Sequence, residues 1–351
     1  MSSKFLKLDW IGFTYKPDHV SDECTPFTQF LMMFPEFDER LLTVPSFRTC
    51  YTNTLVYCDI VLSYNIFDEN VDAITRTRLW EMGVNVQVPS HCLDMFFEMF
   101  GLDYKSEYAF RDIIKLLIKR KCKFSRIDVC YDDYDKIFKA DYYIKKRADG
   151  LIATPCRTVT MVSGGDFGST IYFGSLKKRN KLLRIYDKFA ESGGEIDAVR
   201  YEFEYHNEMA QALVDKLFEF DGKLPFFEML ISVCRIVDSK SVIKQLSARK
   251  TDNDWNSALN GDLTLSCVPV KISPRHIDKL HSLNYYIEVQ AASSIAGYVK
   301  CFGTESLWRL IRDAIAQGRI SPRYQSYANK LKYCQELHDC TNPLLDDNPF
   351  L

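Results

Sequence analysis

Residues Val199–Tyr205 read VRYEFEY, and two earlier stretches share their alternation: Ser125–Asp132, SRIDVCYD, and Leu182–Lys188, LLRIYDK. Side chains along a strand point to opposite faces with period two. Val199, Tyr201, Phe203 and Tyr205 therefore share one face, and Arg200, Glu202, Glu204 and His206 share the other. The same parity sets Ile127, Val129 and Tyr131 against Arg126, Asp128, Cys130 and Asp132. It also sets Leu183 and Ile185 against Arg184, Tyr186 and Lys188. As neighbours in one sheet, the three strands would bury an apolar face and gather four carboxylates, several cations and a tyrosine on the other. That pattern predicts an α+β fold, largely antiparallel, with helices packed on one side and one sheet face left free.

Working outward, Lys7–Tyr15 (KLDWIGFTY) reads as another strand. Pro89 and Ser90 lead into the short helix CLDMFFEMF, closed by Gly101. In Tyr108–Lys121, the spacing of Phe110, Ile113, Ile114, Leu117 and Ile118 predicts a helix with a core-facing stripe. A hairpin is expected over Thr158–Val162 and Ser169–Phe173, and a helix over Met209–Phe220. The polar, irregular stretch Arg249–Pro274 suggests a boundary. The expected division is a catalytic domain over 1–245 and a mostly helical region over 246–351. In the latter, Thr304 and Gly318 are expected to cap the helix ESLWRLIRDAIAQ.

With 45 Lys and Arg against 47 Asp and Glu among 351 residues, the net charge of −2 excludes a protein that is basic throughout. At 46% hydrophobic and 26% charged, the chain is neither disordered nor collagen-like. No signal-like apolar run opens it and no stretch has membrane-span length, so the twelve cysteines are expected as reduced thiols in a cytoplasm. No C-x2-C pair occurs, and Cys334, His338 and Cys340 fall short of a four-ligand zinc set. P-loop, G-x-S-x-G, H-E-x-x-H and His-apolar-His motifs are absent.

Carboxylates crowded on adjacent strands raise one another's pKa unless something positive lies among them. Mg²⁺ or Mn²⁺, both hard ions that prefer oxygen ligands, would relieve that. The alternative is ordinary pairing with Arg126, Arg184 and Arg200. Around the second strand, KKRNKLLRIYDK holds six basic residues in twelve positions, and Lys115–Lys123 holds five in nine. Either run suits a phosphate backbone or a solvated surface. Tyr186 lies between Arg184 and Lys188, and cations or a metal beside it would lower the phenol's pKa and favour a phenolate nucleophile.

Five pieces of the chain, KLDWIGFTY, NVQVPSHCLDMFFEMFG, SRIDVCYDD, TIYFGSLKKRNKLLRIYDK and AVRYEFEYHNE, occur in the order in which they occur in a known family. They resemble the rolling-circle replication initiators of staphylococcal plasmids and the related relaxases of integrative elements. The Y-F-G-S…R-x-Y-x-K block followed by R-x-E-x-E is the specific part, and the resemblance spans residues 7 to about 220. Nothing after about 245 contributes to it.

The resemblance implies an HUH-endonuclease-like core without the His-apolar-His motif, and a metal-dependent DNA-nicking and strand-joining enzyme. Tyr186 would be the nucleophile, giving a 5′-phosphotyrosyl link and a free 3′-hydroxyl. Arg184 and Lys188 would offset transition-state charge. Asp128 and Glu202 would hold Mg²⁺ or Mn²⁺, joined by Glu204 and Asp132. Lys177, Lys178, Arg179, Lys181 and Arg200 are the candidate DNA contacts. The partners implied are supercoiled or single-stranded origin DNA, a host helicase and DNA polymerase, and a second copy of the chain for the closing strand transfer; no membrane is implied. A conjugative relaxase would use the same chemistry. A non-catalytic DNA-binding regulator and a hydrolytic nuclease with a structural Tyr186 are the readings of other classes.

Overall fold

The computed structural model describes residues 4–17, 25–37, 42–44, 51–66, 72–163, 168–177, 180–260, 269–273 and 292–318. The chain divides into two compact units, 1–275 and 276–351. The first therefore runs past the boundary expected at 245. It does so because the helix Asn253–Asn260 buries Trp255 and Leu259 in its core.

A ten-stranded antiparallel sheet organises the first unit. In chain order its strands are β1 (Lys7–Tyr15), β2 (Leu42–Val44), β3 (Asn53–Tyr57), β4 (Ile60–Tyr64) and β5 (Val84–Val88), followed by β6 (Cys122–Asp133). A two-residue strand, β7 (Ile152–Ala153), belongs to a separate small sheet. Then come β8 (Val159–Val162), β9 (Thr170–Phe173), β10 (Lys181–Asp187) and β11 (Val199–His206). The order across the sheet is β2-β3-β4-β5-β1-β6-β11-β10-β9-β8, so the three strands read as neighbours do lie side by side.

The apolar parity of these strands forms the core. Ile127, Val129, Leu183, Ile185, Tyr201 and Phe203 are buried in one cluster with Ile113, Ile114 and Leu117 of the helix Ala109–Lys119. Leu213 and Leu217 of the helix Glu208–Glu219 join the same cluster. Tyr143, on the helix Ala140–Ala148, meets Tyr201 at 3.1 Å between hydroxyls and accepts from the Trp255 indole, so both buried phenols are satisfied. A cluster of phenylalanines packs against β1. Phe13, Phe30, Phe34, Phe37 and Phe96 lie in contact, with Phe30 and Phe34 stacked at 4.7 Å. Burying each such ring contributes about 1.5–3 kcal/mol.

Departures from strict alternation matter on β1. Leu8 pairs with Val129 but Trp10 pairs with Asp128, so Asp9 is an extra, bulged residue. A second irregularity at Ser125 lets Gly12 face Arg126 while Phe13 faces Phe124. Bulges shift the parity of every later residue. Leu8 and Ile11 thus both reach the core, and Trp10 is turned onto the charged face.

The second unit shows the helices Ala292–Phe302 and Thr304–Ala316. The second helix is capped by Gly303, not Thr304. Cys334, His338 and Cys340 lie outside the described residues. No helix among the described residues is long and apolar enough to cross a membrane.

Candidate active site

The ladder registers arrange the non-core face of β1, β6, β11 and β10 as a grid. One row holds Trp10, Asp128 and Glu204; the next holds Lys7, Cys130, Glu202 and Arg184; the third holds Asp132, Arg200 and Tyr186. Despite their polarity these side chains are buried: Asp128 and Glu202 are each only 1% exposed, and Tyr186 is 5%. Buried charges persist only when paired and hydrogen-bonded, and the grid pairs them closely.

Glu202 receives both of its bonds to Arg184 through Nη2, at 2.7 Å to each carboxylate oxygen. Directly beside it, the Tyr186 hydroxyl donates to Glu202 Oε2 at 3.0 Å. Arg184 lies over the Tyr186 ring at 4.7 Å and the Lys188 ammonium at 5.9 Å. Lys188 also pairs with Glu191 on the short helix Lys188–Glu191. Arg126 binds Asp128 through Nε at 3.0 Å and reaches Glu204 at 3.4 Å, while His206 meets Glu204 at 2.6 Å. Arg200 bridges the third row, donating to Asp132 at 2.6 and 2.9 Å and to Asp9 at 2.8 Å; Lys7 also meets Asp132 at 2.8 Å.

Tyr186, Arg184, Lys188, Asp128, Glu202 and Glu204 thus come together as the alternation expected. Four other assignments change. Asp132 stands apart from the other acids, held by Arg200 and Lys7. Burial works against its charge, but these two cations keep its carboxyl below the usual range. Arg200 is 4% exposed and fully engaged, so it is an internal bridge and not a surface DNA contact. Lys181 has the parity of Leu183 and Ile185. It lies over the Tyr205 ring on the helix-covered side, and burial lowers its pKa. The Tyr186 phenol is pushed up, not down, because burial and the neighbouring Glu202 carboxylate outweigh Arg184 and Arg200. Of the other basic residues, Lys177 is exposed, and Lys178 and Arg179 lie outside the described residues.

Asp9 was not foreseen as part of the site. Beyond its bond to Arg200 it accepts from the Ser90 hydroxyl at 2.8 Å. Its signal in the sequence was an acid on the parity of Ile11 and Phe13, which only a bulge reconciles.

The carboxylates remain under strain. Burial pushes the Asp128 carboxyl up to about 8; Arg126 pulls it down by more than Glu202 and Glu204 push it up, but does not cancel the burial. Burial raises Glu202 as well, against the pull of Arg184. Among the described residues no three His, Cys, Asp or Glu side chains converge as a metal cage. The oxygens of Asp128, Glu202 and Glu204 are the donor type that a hard divalent ion takes, but each carboxylate is already engaged by a cation, Asp128 and Glu204 by Arg126 and Glu202 by Arg184.

A stability test follows. An acid whose folded pKa lies above its unfolded value of about 3.9 destabilises the fold when it ionises. In chelator, stability should therefore fall as pH rises from about 4 to about 8. Asp128→Asn should flatten that fall, which urea denaturation at several pH values would measure. An unchanged slope would contradict the raised carboxyl.

A family model described as replication initiation factor matches residues 122–307, more than half of the chain. The chain belongs to that family. The match includes every strand of the grid except β1, and it continues well past residue 245, where the sequence alone offered no likeness. The fold is similar to a solved structure titled as a rolling-circle replication initiator protein from Geobacillus stearothermophilus. The TM-score is 0.55 at 18% identity, over 77% of this chain and 99% of that one. No curated protein sequence matches.

Proposed function

We propose that this chain initiates rolling-circle replication by nicking one DNA strand through Tyr186. The observation that carries the reading is the Tyr186 hydroxyl donating to Glu202 on a charged sheet face, with Arg184 and Lys188 against the ring. Tyr186 Oη attacks the scissile phosphorus as its proton passes to Glu202, 3.0 Å away. The P–O3′ bond breaks, the 3′-oxygen leaves and takes a proton, and the 5′-phosphate stays on the tyrosine. Reversal by an incoming 3′-hydroxyl rejoins strands with no net loss of phosphodiester bonds.

The phenol is buried beneath its two cations, so the incoming phosphate has a specific task. It competes for Arg184 and Lys188, drawing them from the ring and uncovering the nucleophile. There they offset the charge that develops on the phosphoryl oxygens. Asp128, Glu202 and Glu204 would hold a divalent ion, which supplies Lewis-acid polarisation of the phosphate when bound.

The test is incubation with labelled single-stranded oligonucleotide and Mn²⁺, followed by denaturing electrophoresis. A detergent-resistant protein–DNA adduct is expected. Cleavage without an adduct would favour a hydrolytic nuclease, and binding without cleavage a regulator. Chelation by EDTA should abolish nicking and Mn²⁺ should restore it; full activity in EDTA would remove the metal from the site. Origin DNA, a helicase, a polymerase and a second copy are the partners this function requires. A conjugative relaxase would share each of these chemical outcomes.

A further inference from the structure

On the same sheet face, one strand beyond Asp128, stands an indole that the nicking chemistry does not use. Trp10 is directly across from Asp128 in the β1–β6 ladder. The bulge at Asp9 turns it out of Leu8's parity, so the largest side chain of β1 lies part-exposed among charges and not in the core. Bulges beside active sites commonly re-aim a side chain.

The ring is also fixed in orientation. Its Nε1–H donates to Gln87 Oε1 at 3.1 Å. The Gln87 amide nitrogen donates in turn to Asn85 Oδ1 at 3.0 Å and Ser125 Oγ at 3.2 Å. Asn85 is tied by its own amide to Thr14 Oγ1 at 3.0 Å. Gln87 lies across Gly12, where an added Cβ would come within 2.5 Å of its Nε2, so the glycine makes room for the amide. Gln87 and Asn85 are both buried, and the indole edge is thus clamped by a network whose members are mutually satisfied. Arg126 rests on the ring at 4.3 Å while binding Asp128 and Glu204, linking the indole directly to the carboxylates.

A flat, clamped aromatic ring with a guanidinium beside it is what a nucleobase of single-stranded nucleic acid stacks on. Trp10 is three strand spacings and two grid rows from Tyr186, about 14 Å across the sheet and about 13 Å along it, within reach of a strand whose scissile phosphate sits at the tyrosine. We propose that Trp10, with Arg126, is a stacking platform for a base a few nucleotides from the nick, and that it selects single-stranded over duplex DNA. This rests on the reading of the grid as a DNA-strand site, but not on cleavage.

The test uses the full chain carrying Tyr186→Phe and a mixed-sequence single-stranded oligonucleotide, with 2-aminopurine placed at one position at a time. One or two adjacent positions should lose fluorescence on binding. Adding Trp10→Ala should remove that quench and weaken single-strand binding roughly 5- to 150-fold. Trp10→Phe should keep most of both. Duplex affinity should be unchanged, as should the salt dependence of binding, since no phosphate contact is lost. Equal affinity of Trp10→Ala and the parent would overturn the proposal. So would a Trp10→Phe loss as large as that of Trp10→Ala, because the indole would then be only a scaffold for Gln87. An equal loss on duplex, or a reduced salt slope, would overturn it too. If the wild-type chain forms no adduct yet the Trp10-dependent quench remains, nicking falls and the platform stands.

Discussion

Tyr186→Phe protein is expected to form no covalent adduct with DNA and to nick more slowly by a factor on the order of 10⁴ or more. The substitution removes one oxygen, the only atom of the ring that can attack phosphorus. Its structural cost is small: Glu202 loses one donor but keeps both bonds from Arg184. Losing one such hydrogen bond costs about 1 kcal/mol, so the variant should fold and still bind DNA, and a loss of nicking can be read as loss of chemistry.

A companion substitution separates nucleophile from base. Glu202→Gln preserves shape and can still accept from the Tyr186 hydroxyl, but cannot take the proton at neutral pH. It should slow adduct formation while leaving Tyr186 as the point of attachment, as peptide mapping of the adduct would locate. The raised phenol makes the base necessary, since burial holds Tyr186 protonated at physiological pH. An adduct of unchanged yield in Tyr186→Phe would remove this residue from the chemistry altogether.

How far the sequence could be read follows from what period-two patterning encodes. It reports which residues share a face of one strand, and over Arg126–Asp132 of β6 and on β10 and β11 that parity is intact, so the grid's composition is legible before any pairing is known. Lys181 belongs to a basic run that suits a DNA contact, but its parity with Leu183 and Ile185 assigns it to the helix-covered side. Asp9 and Trp10 were hidden for a different reason. A bulge is a relation between two strands, and β1 alone does not show that Leu8 and Trp10 meet successive residues of β6. The β3–β4 hairpin escaped because its turn, Cys58-Asp59, takes positive φ at both residues without the glycine that usually marks such a turn. Burial sets the sign of the Tyr186 shift, and burial depends on how Arg184 and Lys188 lie over the ring, which no local pattern records.

Arg200→Met is expected to be the most destabilising single change on this face. Arg200 is the cross-strand partner of both Asp132 and Tyr186, and its guanidinium alone bridges Asp132 to Asp9. Methionine fills much of the same space but leaves Asp9 without its cation, and Asp132 with only the half-exposed Lys7. Breaking a buried ion pair from one side costs about 3–5 kcal/mol, on the order of a 10 °C fall in melting temperature for a unit this size. If unpaired charge is the cause, adding Asp132→Asn should recover a good part of the loss. The pH dependence supplies a second check. Asp132 is held below its ordinary pKa, so it stabilises the fold above about pH 4, and that stability is lost as pH falls through the depressed value. The gap between wild type and Arg200→Met should therefore be full at pH 7 and narrow below about pH 4. A gap that is constant with pH would mean that the guanidinium acts through packing alone, and the third row of the grid would have to be understood without its central charge.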